Sequence, residues 1–455
     1  MRAPSEKRSM REEGRLFCGC NHTRHLADTQ YTHHRWCLMG HVLRVTMSMG
    51  ALAIALAAGS ARPPSAAALV AQAPETALRF EPEEIQRDFG VGYAVSVVDV
   101  NRDRRPDVIA INGTQLVWFE NSAWTKHVLL DGQTPEDNVA IAPQDIDGDG
   151  RPDIALGAGW NPRDTTGGGA LHWVRQPASG DAWPLMKIGA EPTLHRIRWA
   201  NVDGRGAPEL IVAPLHGRGT SPPEWAGAGA RVLAFRIPAD PAREQWEVEV
   251  ADDSLHILHN FAVVRFDEDE RDDLVTASRE GVHVLRRGPD ATWTRTRVGD
   301  GAPGEIALGR VGGRRILATV EPWHGHSVVL YLEPDAAQVR GATSQEAAAR
   351  STSDTLWTRH VIEEQIDEGH ALRWADFDGD EDEELVVGWR GDEGGVAIYE
   401  VDREANVRDK IMIDDGGMAA EDLAIADLDA DGRPEIVASG RRTENVKIYW
   451  NRTPR

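Results

Sequence analysis

Apolar and polar segments alternate along the chain in seven similar units. In each unit an apolar run is followed by a short acidic loop that contains glycine, and then by a second apolar run. A spacing of roughly 45 to 66 residues separates the loops, and a period of this length is typical of a four-stranded propeller blade rather than of a helical repeat. The loops begin at Asp99, Asp145, Asn201, Arg265, Arg310, Asp376 and Asp427.

Within one unit the apolar runs have the character of strands. In the sixth unit they cover residues 370–377, 385–389, 395–400 and 410–414. They are short, rich in β-branched and aromatic residues, and bounded by Gly, Asp and Pro, while the units show no sustained 3.6-residue periodicity. The pattern predicts an all-β fold with one antiparallel four-stranded sheet per unit.

The two ends of the repeat region complement each other. The last unit supplies three strands, one short of a blade, and residues 78–85 before the first unit are interpreted as the missing strand. Arranging the sheets radially removes the exposed edges that a linear array would leave. We therefore predict that residues 78–451 form a seven-bladed β-propeller, closed by pairing of the N-terminal strand with the last blade.

The N-terminal region has a different composition. Residues 39–73 combine a short basic segment, an apolar run too brief to span a bilayer and small residues, which indicates a signal peptide followed by a flexible remnant. Residues 1–38 hold all three cysteines, and we interpret them as a non-native or disordered extension rather than a metal site. The mature protein is expected to be a secreted or periplasmic monomer without a transmembrane segment.

The formal net charge of the chain is −23. Phosphate backbones are bound by basic surfaces, so nucleic acid is not expected as a partner. Much of the negative charge lies in the repeat loops, where the carboxylates would repel one another unless a cation were bound.

Calcium is the cation that this loop pattern favours, because it takes several oxygen ligands at about 2.3–2.6 Å. Alternate carboxylates on a tight glycine-containing loop point inward together, at the first, third, fifth and ninth positions. The candidate ligands are Asp145, Asp147, Asp149 and Asp153 in the second repeat, Asp376, Asp378, Asp380 and Glu384 in the sixth, Asp427, Asp429, Asp431 and Glu435 in the seventh, and Asp99, Asn101, Asp103 and Asp107 in the first.

The remaining three loops depart from this pattern. Arginine replaces a ligand at Arg205 in the third repeat and at Arg265 in the fourth, and the fifth repeat keeps none of the acids. An internal guanidinium could replace the ion there. We expect about three to four structural calcium ions, and the alternative is that the loops are only polar β-turns.

The repeated DxDxDG pattern resembles the FG-GAP/VCBS repeat family over about residues 78–451. The resemblance implies a seven-bladed propeller with calcium in the loop between the first two strands of a blade. It implies no activity, because such folds host many unrelated functions.

The opposite face of the propeller is the candidate for function. Strands alternate in direction, so the segment before each first strand and the loop after each second strand lie on the side away from the acidic loops. Imidazole, guanidinium, carboxylate and indole groups suit a polar ring such as a sugar. The residues expected there as ligand-binding are His195, His216, His259, Glu305, Trp160, Trp323, His326, Trp389, Asp422 and Arg441, together with His324, His370 and Arg390.

A narrower resemblance concerns residues 321–326 (EPWHGH), 356–360 (LWTRH), 368–380 and 387–390. These segments look like the propeller portion of aldos-2-ulose dehydratase/isomerase-like proteins, which eliminate water from oxidised sugars. If the propeller hosts dehydration, His324 or His370 could be the base, and Arg390 or a second divalent metal held by the histidines could be the electrophile.

Two functions therefore remain open from the sequence. One is a carbohydrate lyase that binds a sugar-like ligand, and the other is a non-catalytic module that binds a protein or a polysaccharide. An enzyme should bury its histidines in a funnel with perturbed pKa values, whereas a docking surface should be flat and expose Trp160, Trp323 and Trp389. The sequence shows neither a Rossmann fingerprint nor a Gly-x-Ser-x-Gly elbow, which argues against redox and serine-hydrolase functions.

Overall fold

The structure is a computed structural model that describes residues 77–180, 182–267, 269–334 and 356–454. Within these ranges the chain forms 28 strands and no helix, so no described segment is a long apolar helix of the kind that crosses a bilayer. The expected extension at residues 1–38 and the expected signal peptide and remnant at 39–73 lie outside the described residues.

The strands follow one another in sets that correspond to the sequence units. Ahead of the first unit is β1 (Phe80–Gln86). Units one to four contain β2 (Ala94–Val98), β3 (Asp107–Ile111), β4 (Gln115–Glu120), β5 (Thr125–Asp131), β6 (Ala140–Gln144), β7 (Asp153–Ala158), β8 (Ala170–Val174), β9 (Leu185–Ala190), β10 (Leu194–Ala200), β11 (Glu209–Pro214), β12 (Ala230–Arg236), β13 (Glu247–Leu255), β14 (Asn260–Val264), β15 (Asp273–Ser278), β16 (Gly281–Arg287) and β17 (Trp293–Gly299). Units five to seven contain β18 (Glu305–Val311), β19 (Arg314–Glu321), β20 (Ser327–Leu332), β21 (Thr358–Glu363), β22 (Gly369–Ala375), β23 (Glu384–Trp389), β24 (Gly395–Val401), β25 (Val407–Asp415), β26 (Ala420–Ala426), β27 (Glu435–Gly440) and β28 (Val446–Asn451).

These strands pair into seven antiparallel sheets of four within the described residues. Six of the sheets are simple meanders of consecutive strands, from β2-β3-β4-β5 to β22-β23-β24-β25. The seventh has the order β1-β28-β27-β26, so its outer strand comes from the other end of the repeat region. The predicted seven-bladed propeller and its closing strand are both confirmed.

The closing strand pairs antiparallel with β28, with one shift of register between Glu84 and Gln86. Its register runs from Phe80 opposite Asn451 to Gln86 opposite Val446. The indole nitrogen of Trp450 donates a 2.7 Å hydrogen bond to Glu83 across the pair. This pairing covers the edge of β28, which would otherwise expose unpaired backbone groups.

Hydrophobic packing joins each blade to its neighbours. The described residues form seven buried clusters, and each contains side chains from two adjacent blades. Trp173 of the second blade packs with Phe235 of the third, and Val117 of the first packs with Ile448 of the last. The core is therefore a ring of interfaces, and the interface between the first and last blades closes it.

The meander separates two faces of the propeller. One face carries the acidic loops between the first and second strand of each blade, such as the loop between β6 and β7. The other carries the starts of the first strands and the loops between the second and third strands. We call them the acidic-loop face and the histidine face.

The closing strand offers a test of the ring. A chain that begins at Asp88 lacks β1, and we expect it to be less stable by on the order of 5 kcal/mol, because about six inter-strand hydrogen bonds are lost. Its exposed β28 edge should also promote aggregation. Thermal unfolding and light scattering would be compared with those of a chain that begins at Ala77. Equal unfolding temperatures and equal scattering would show that β1 does not contribute to closure.

Candidate functional site

A cavity of about 260 Å³ opens on the histidine face. Its wall comes from the starts of the innermost strands and from the loops that follow the second strands. We call it the histidine cavity. Of the residues expected from the sequence, those that line it are Trp160, His195, His216, His259, Trp323, His324, His370, Arg390 and Arg441.

Local irregularities in the innermost strands direct the key side chains. The pairing of β10 with β11 shifts register around His195, that of β22 with β23 around His370, and that of β26 with β27 around Glu421. A β-bulge at the start of a strand breaks the alternation of side chains and re-aims one of them. The same device in three blades therefore turns two imidazoles and a carboxylate toward one region.

The cavity histidines are held by backbone carbonyls of the following blade. The Nδ1 atom of His195 lies 2.8 Å from the carbonyl oxygen of His259, and that of His259 lies 2.8 Å from the carbonyl of Gly304. The Nδ1 atom of His370 lies 2.7 Å from the carbonyl of Glu421. A carbonyl only accepts, so each Nδ1 carries the proton and each neutral ring keeps its lone pair on Nε2.

His324 reaches the same region from the loop between β19 and β20. Arg390 donates a 3.0 Å hydrogen bond to its Nδ1 atom, so the proton of neutral His324 is on Nε2. This Nε2 lies 2.5 Å from the Nε2 of His259. The Nε2–H of His324 therefore donates to the lone pair on Nε2 of His259, and a cation bound between the two rings would have to replace this proton.

Three of these imidazoles are arranged as metal ligands. One ring nitrogen each of His259, His324 and His370 lies within 4.8 Å of the other two. Ligating histidines commonly donate their second ring N–H to a carbonyl or carboxylate, as His259 and His370 do here. Imidazole ligands suit zinc and similar transition metals, and three of them leave a coordination position open for a substrate.

Two buried carboxylates anchor the charged groups around the histidines. Glu421 accepts a 2.6 Å hydrogen bond from Arg390 and lies 3.2 Å from Arg441. Glu305 lies 3.1 Å from His259 and 3.5 Å from Arg196. Each buried carboxylate thus has at least one guanidinium nearby, which offsets the cost of burying its charge.

These surroundings keep the imidazoles neutral. Burial, followed by the nearby guanidinium groups, holds the pKa of His195, His324 and His370 well below the usual range. Burial also lowers the pKa of His259, although the hydrogen bond with Glu305 opposes the shift. Neutral imidazole is the form that binds a metal.

Aromatic rings form the walls above the histidines. Trp160 stacks on His195 with 4.6 Å between the ring centroids, and Trp225 stacks on His216 at 3.7 Å. Trp160, Trp225 and Trp323 are half-buried. Sequence reasoning missed Trp225, because it lies in a long loop between β11 and β12 rather than next to a strand.

Four of the expected residues do not line the cavity. His326 is exposed. Trp389 is 8% exposed and packs in the core between the fifth and sixth blades. The carboxylate of Glu305 lies 3.1 Å from the ring of His259. The carboxylate of Asp422 lies 2.9 Å from Arg373.

The acidic loops bring carboxylates together in three repeats. In each, the first, third and ninth positions supply oxygens that lie within 4.8 Å of one another. The acids at the fifth position, Asp149, Asp380 and Asp431, are not part of these groups. The groups are Asp145, Asp147 and Asp153; Asp376, Asp378 and Glu384; and Asp427, Asp429 and Glu435.

The first repeat differs from these three. Among the described residues, the carboxylates of Asp99, Asp103 and Asp107 do not form such a group. The two oxygens of Asp99 accept hydrogen bonds from the backbone N–H groups of Asp103 and Arg104, at 3.1 and 2.8 Å. Asn101 donates to Glu120 at 3.1 Å. Asp145 and Asp427 accept the same two backbone bonds as Asp99, so the first loop differs through Asn101 and its bond to Glu120.

The ninth acid has a structural role that does not depend on a metal. Its carboxylate accepts a hydrogen bond from the backbone N–H of the second loop position, at 2.7 Å for Glu435 and 2.9 Å for Glu384. Asp273 of the fourth repeat makes the same contact at 3.1 Å. This explains why the ninth acid persists in loops that have lost other ligands.

An arginine at the end of the third strand reaches into some loops. Arg236 lies 2.9 Å from Asp203 in the third repeat, and Arg286 lies 3.6 Å from Asp267 in the fourth. A guanidinium therefore lies beside the third-position acid in both loops, but it comes from the third strand and not from Arg205 or Arg265, the loop arginines that the sequence suggested. The second repeat has an equivalent arginine that the sequence reading missed, Arg175, which lies 2.6 Å from Asp147.

The sixth loop lacks this arginine, and in the seventh a different one, Arg452, which follows the third strand, lies 3.3 Å from Asp429. The strand pairing places Glu400 and Trp450 at the position of Arg175. Burial, followed by the nearby aspartates, raises the pKa of Glu384 to about 8 and that of Glu435 to about 7. One buried oxygen of Glu435 also has no hydrogen-bond partner. The donor set thus fits a hard cation in these two repeats.

Comparisons with protein-family models agree with the propeller fold. Residues 99–156 and 376–438 match the model of the FG-GAP-like repeat. The chain is thus a seven-bladed propeller that carries FG-GAP-like repeats. Residues 168–334 match the propeller domain of aldos-2-ulose dehydratase, a segment that contains His195, His216, His259 and His324. A comparison with curated protein sequences gives no match.

Solved structures with similar folds share little sequence with this chain. Streptogramin B lyase is 11% identical, with 82% of this chain and 98% of that chain covered and a TM-score of 0.50. Virginiamycin B lyase from Staphylococcus aureus is 10% identical, with 82% and 99% covered and a TM-score of 0.48. An Agrocybe aegerita lectin is 12% identical, with 79% and 94% covered and a TM-score of 0.43. At these identities the likeness concerns the fold alone.

Proposed function

We propose that this protein is a metal-dependent carbon–oxygen lyase that removes water from a sugar-like carbonyl compound in the histidine cavity. The observation that carries the proposal is the convergence of His259, His324 and His370 within 4.8 Å, with the Nδ1 atoms of His259 and His370 held by backbone carbonyls. The match of residues 168–334 to the propeller domain of a dehydratase supports the reaction class.

The shape of the site favours an enzyme over a docking module. His195, His216, His259 and His370 are between 1% and 5% exposed, and their pKa values are lowered by burial. The indole groups expected to stand out on a flat docking surface are half-buried or, for Trp389, buried. Perturbed pKa values in a concave site are typical of catalytic centres.

Dehydration breaks one C–H bond next to a carbonyl and one C–O bond on the following carbon, and it forms one C=C bond. The proton and the hydroxide leave together as water. A divalent cation on the three imidazole nitrogens would polarise the carbonyl as a Lewis acid. The stacked indole groups of Trp160 and Trp225 supply apolar faces for a sugar ring.

His324 is better placed as a ligand than as a base. Both of its ring nitrogens are engaged, one by Arg390 and the other by His259. The guanidinium of Arg390 in turn donates a hydrogen bond to Glu421. Its contacts therefore orient His324 rather than point the guanidinium at a substrate. These contacts argue for a different proton acceptor from the one that the sequence suggested.

His216 is the cavity histidine with the fewest partners. Among the described residues no hydrogen bond involves its ring; its Nδ1 atom is buried without a partner, whereas Nε2 is not among the buried atoms and is the nitrogen that a substrate can reach. Burial lowers its pKa to about 4, so the ring is neutral near pH 7. A neutral imidazole with a free nitrogen can accept a proton from a substrate, and we assign His216 that role.

Replacing His216 by glutamine removes proton exchange but keeps a polar side chain. We expect kcat to fall by about 100-fold with a smaller change in KM. His172→Gln is the matched control, since the Nδ1 of His172 is also buried without a partner but lies in β8, outside the cavity. Equal losses in the two variants, or none in His216→Gln, would contradict the assignment.

The reaction itself is tested with purified protein and a panel of keto- and anhydro-sugars. We expect a metal-dependent ultraviolet absorbance from the unsaturated product, with release of one water per turnover. Binding of these sugars without turnover would instead favour a carbohydrate-binding module. The absence of both binding and turnover would contradict the proposal.

The acidic loops are proposed as structural calcium sites, mainly in the sixth and seventh repeats. Export is proposed from the leader sequence alone. N-terminal sequencing of the protein from the native cell would test export: a mature N-terminus close to residue 74 is expected, and an intact residue 1 would contradict it.

A further inference from the structure

A second and larger cavity follows the propeller axis. Its volume is about 630 Å³, and its wall is formed by the innermost strands. Most of the wall is apolar, as at Val95, Ala142 and Ala424. We call this cavity the central channel. It shares Tyr93, Val139 and Arg196 with the histidine cavity, so the two spaces adjoin.

The charged groups in the channel wall are mainly cationic. Arg196 and Arg198 alternate along β10, and Arg373 projects from β22. Asp422 is the only carboxylate in the wall. Three guanidinium groups thus face one carboxylate inside a protein whose formal net charge is −23. Such an excess of positive charge in an apolar channel is costly unless a counterion compensates it.

Two of the three arginines have a carboxylate partner. Arg196 lies 3.5 Å from Glu305, and Arg373 lies 2.9 Å from Asp422. The two carboxylates, Glu305 and Asp422, are thus already paired with Arg196 and Arg373.

Arg198 is the channel arginine that has no carboxylate partner among the described residues. Its guanidinium donates a 2.9 Å hydrogen bond to the side-chain oxygen of Asn260 and lies 4.9 Å from the ring centre of Phe261. Among the described residues, no carboxylate oxygen lies within 4.0 Å of it. Burial, and after it the charges of Arg373 and Arg196, lowers the pKa of Arg198 to about 10, which still leaves it charged near pH 7.

We propose that the central channel binds a small oxyanion, a carboxylate or a sulfate-like group, between the guanidinium groups of Arg198 and Arg373. A planar guanidinium offers parallel N–H donors that match two oxygens of such an anion. The anion supplies the counterion that Arg198 lacks in the described chain. This site is separate from the proposed lyase function and does not depend on the imidazole ligands.

The test uses the full chain in a chloride buffer at fixed calcium and zinc concentrations. Sodium sulfate is titrated in a calorimeter against sodium chloride of equal ionic strength. We expect saturable binding of one sulfate per chain. Acetate is titrated in the same way; saturable binding of either anion supports the site, and tighter binding of acetate assigns it to carboxylates.

Variants separate this site from general salt effects, because sulfate also strengthens folding non-specifically. Arg198→Gln should weaken anion binding at least tenfold, and in chloride alone it should unfold at the same or a higher temperature, since an uncompensated charge is removed. Arg243→Gln, at an arginine whose side chain is 85% exposed, should bind like the parent chain. If Arg198→Gln does not fold, Arg373→Gln replaces it in the comparison.

Two results would overturn the proposal. One is the absence of saturable binding for both anions, and the other is equal binding by the parent chain and the folded channel variant. Either result would leave the lyase proposal standing, because that proposal is tested by zinc binding and by turnover.

Discussion

Replacing His259 by alanine is expected to abolish stoichiometric zinc binding and, with it, turnover. His259 supplies the central ring of the cluster: its Nε2 lies 2.5 Å from that of His324, and its centroid lies 5.1 Å from that of His370. Loss of one of three ligands should weaken zinc binding by more than about 100-fold, since changes in the groups that merely orient such ligands already cost 10- to 100-fold. Elemental analysis after dialysis against calcium-containing buffer measures the bound zinc.

His326→Ala is the matched control for this experiment. His326 belongs to the same short loop as His324 and was also expected on the ligand face, but it is exposed and does not line the cavity. It should retain one zinc per chain. Zinc retained by His259→Ala, or lost equally from His326→Ala, would contradict the site. His370→Gln serves as a second ligand variant if His259→Ala unfolds.

The fold could be predicted because its signals repeat. Each unit has the same order of strand, acidic loop and strand. The fifth unit, whose loop has lost its acids, can therefore be recognised by comparison with the other six. The closing strand followed from counting strands in the last unit, and the structure confirms it in the register of Phe80 opposite Asn451. The repeated pattern was therefore sufficient to predict the architecture without any information on side-chain contacts.

The site was only partly accessible from the sequence. Topology predicted that His195, His259 and His370 would share a face, because each lies at the start of an innermost strand. It could not show that bulges turn His195 and His370 inward. Nor could it show that Trp389, the last residue of β23, is buried between blades while Arg390, one residue later, reaches the cavity.

The acidic loops show a second limit of sequence reasoning. Counting carboxylates made the second repeat look equivalent to the sixth, but the count ignored a cation from another strand. Arg175, Arg236 and Arg286 each follow the apolar run of a third strand, and this recurrence was visible in the sequence. What the spacing could not show is that the third strand of a blade ends beside its acidic loop.

Calcium is expected to raise the thermal unfolding midpoint by roughly 5 to 10 °C, with most of the gain from the sixth and seventh repeats. A site filled at 100 times its Kd contributes about 2.7 kcal/mol to the free energy of unfolding, and a kcal/mol corresponds to only about 2 °C in a large domain. The third strand of the sixth repeat ends in Glu400 rather than an arginine, and in the seventh one buried oxygen of Glu435 has no hydrogen-bond partner, although Arg452 lies 3.3 Å from Asp429. Differential scanning calorimetry with excess calcium and with a calcium chelator measures the gain.

Two substitutions at the same loop position distinguish binding from a general charge effect. Asp378→Asn removes a grouped carboxylate from the sixth repeat, and it should remove about half of the calcium-dependent gain, because one of two main sites is lost. Asp267→Asn removes the equivalent acid from the fourth repeat, where Arg286 lies 3.6 Å away, and it should leave the gain unchanged. Equal calcium responses in both variants would show that the loops act as polar turns, because a cation held by grouped carboxylates must respond to the loss of one ligand.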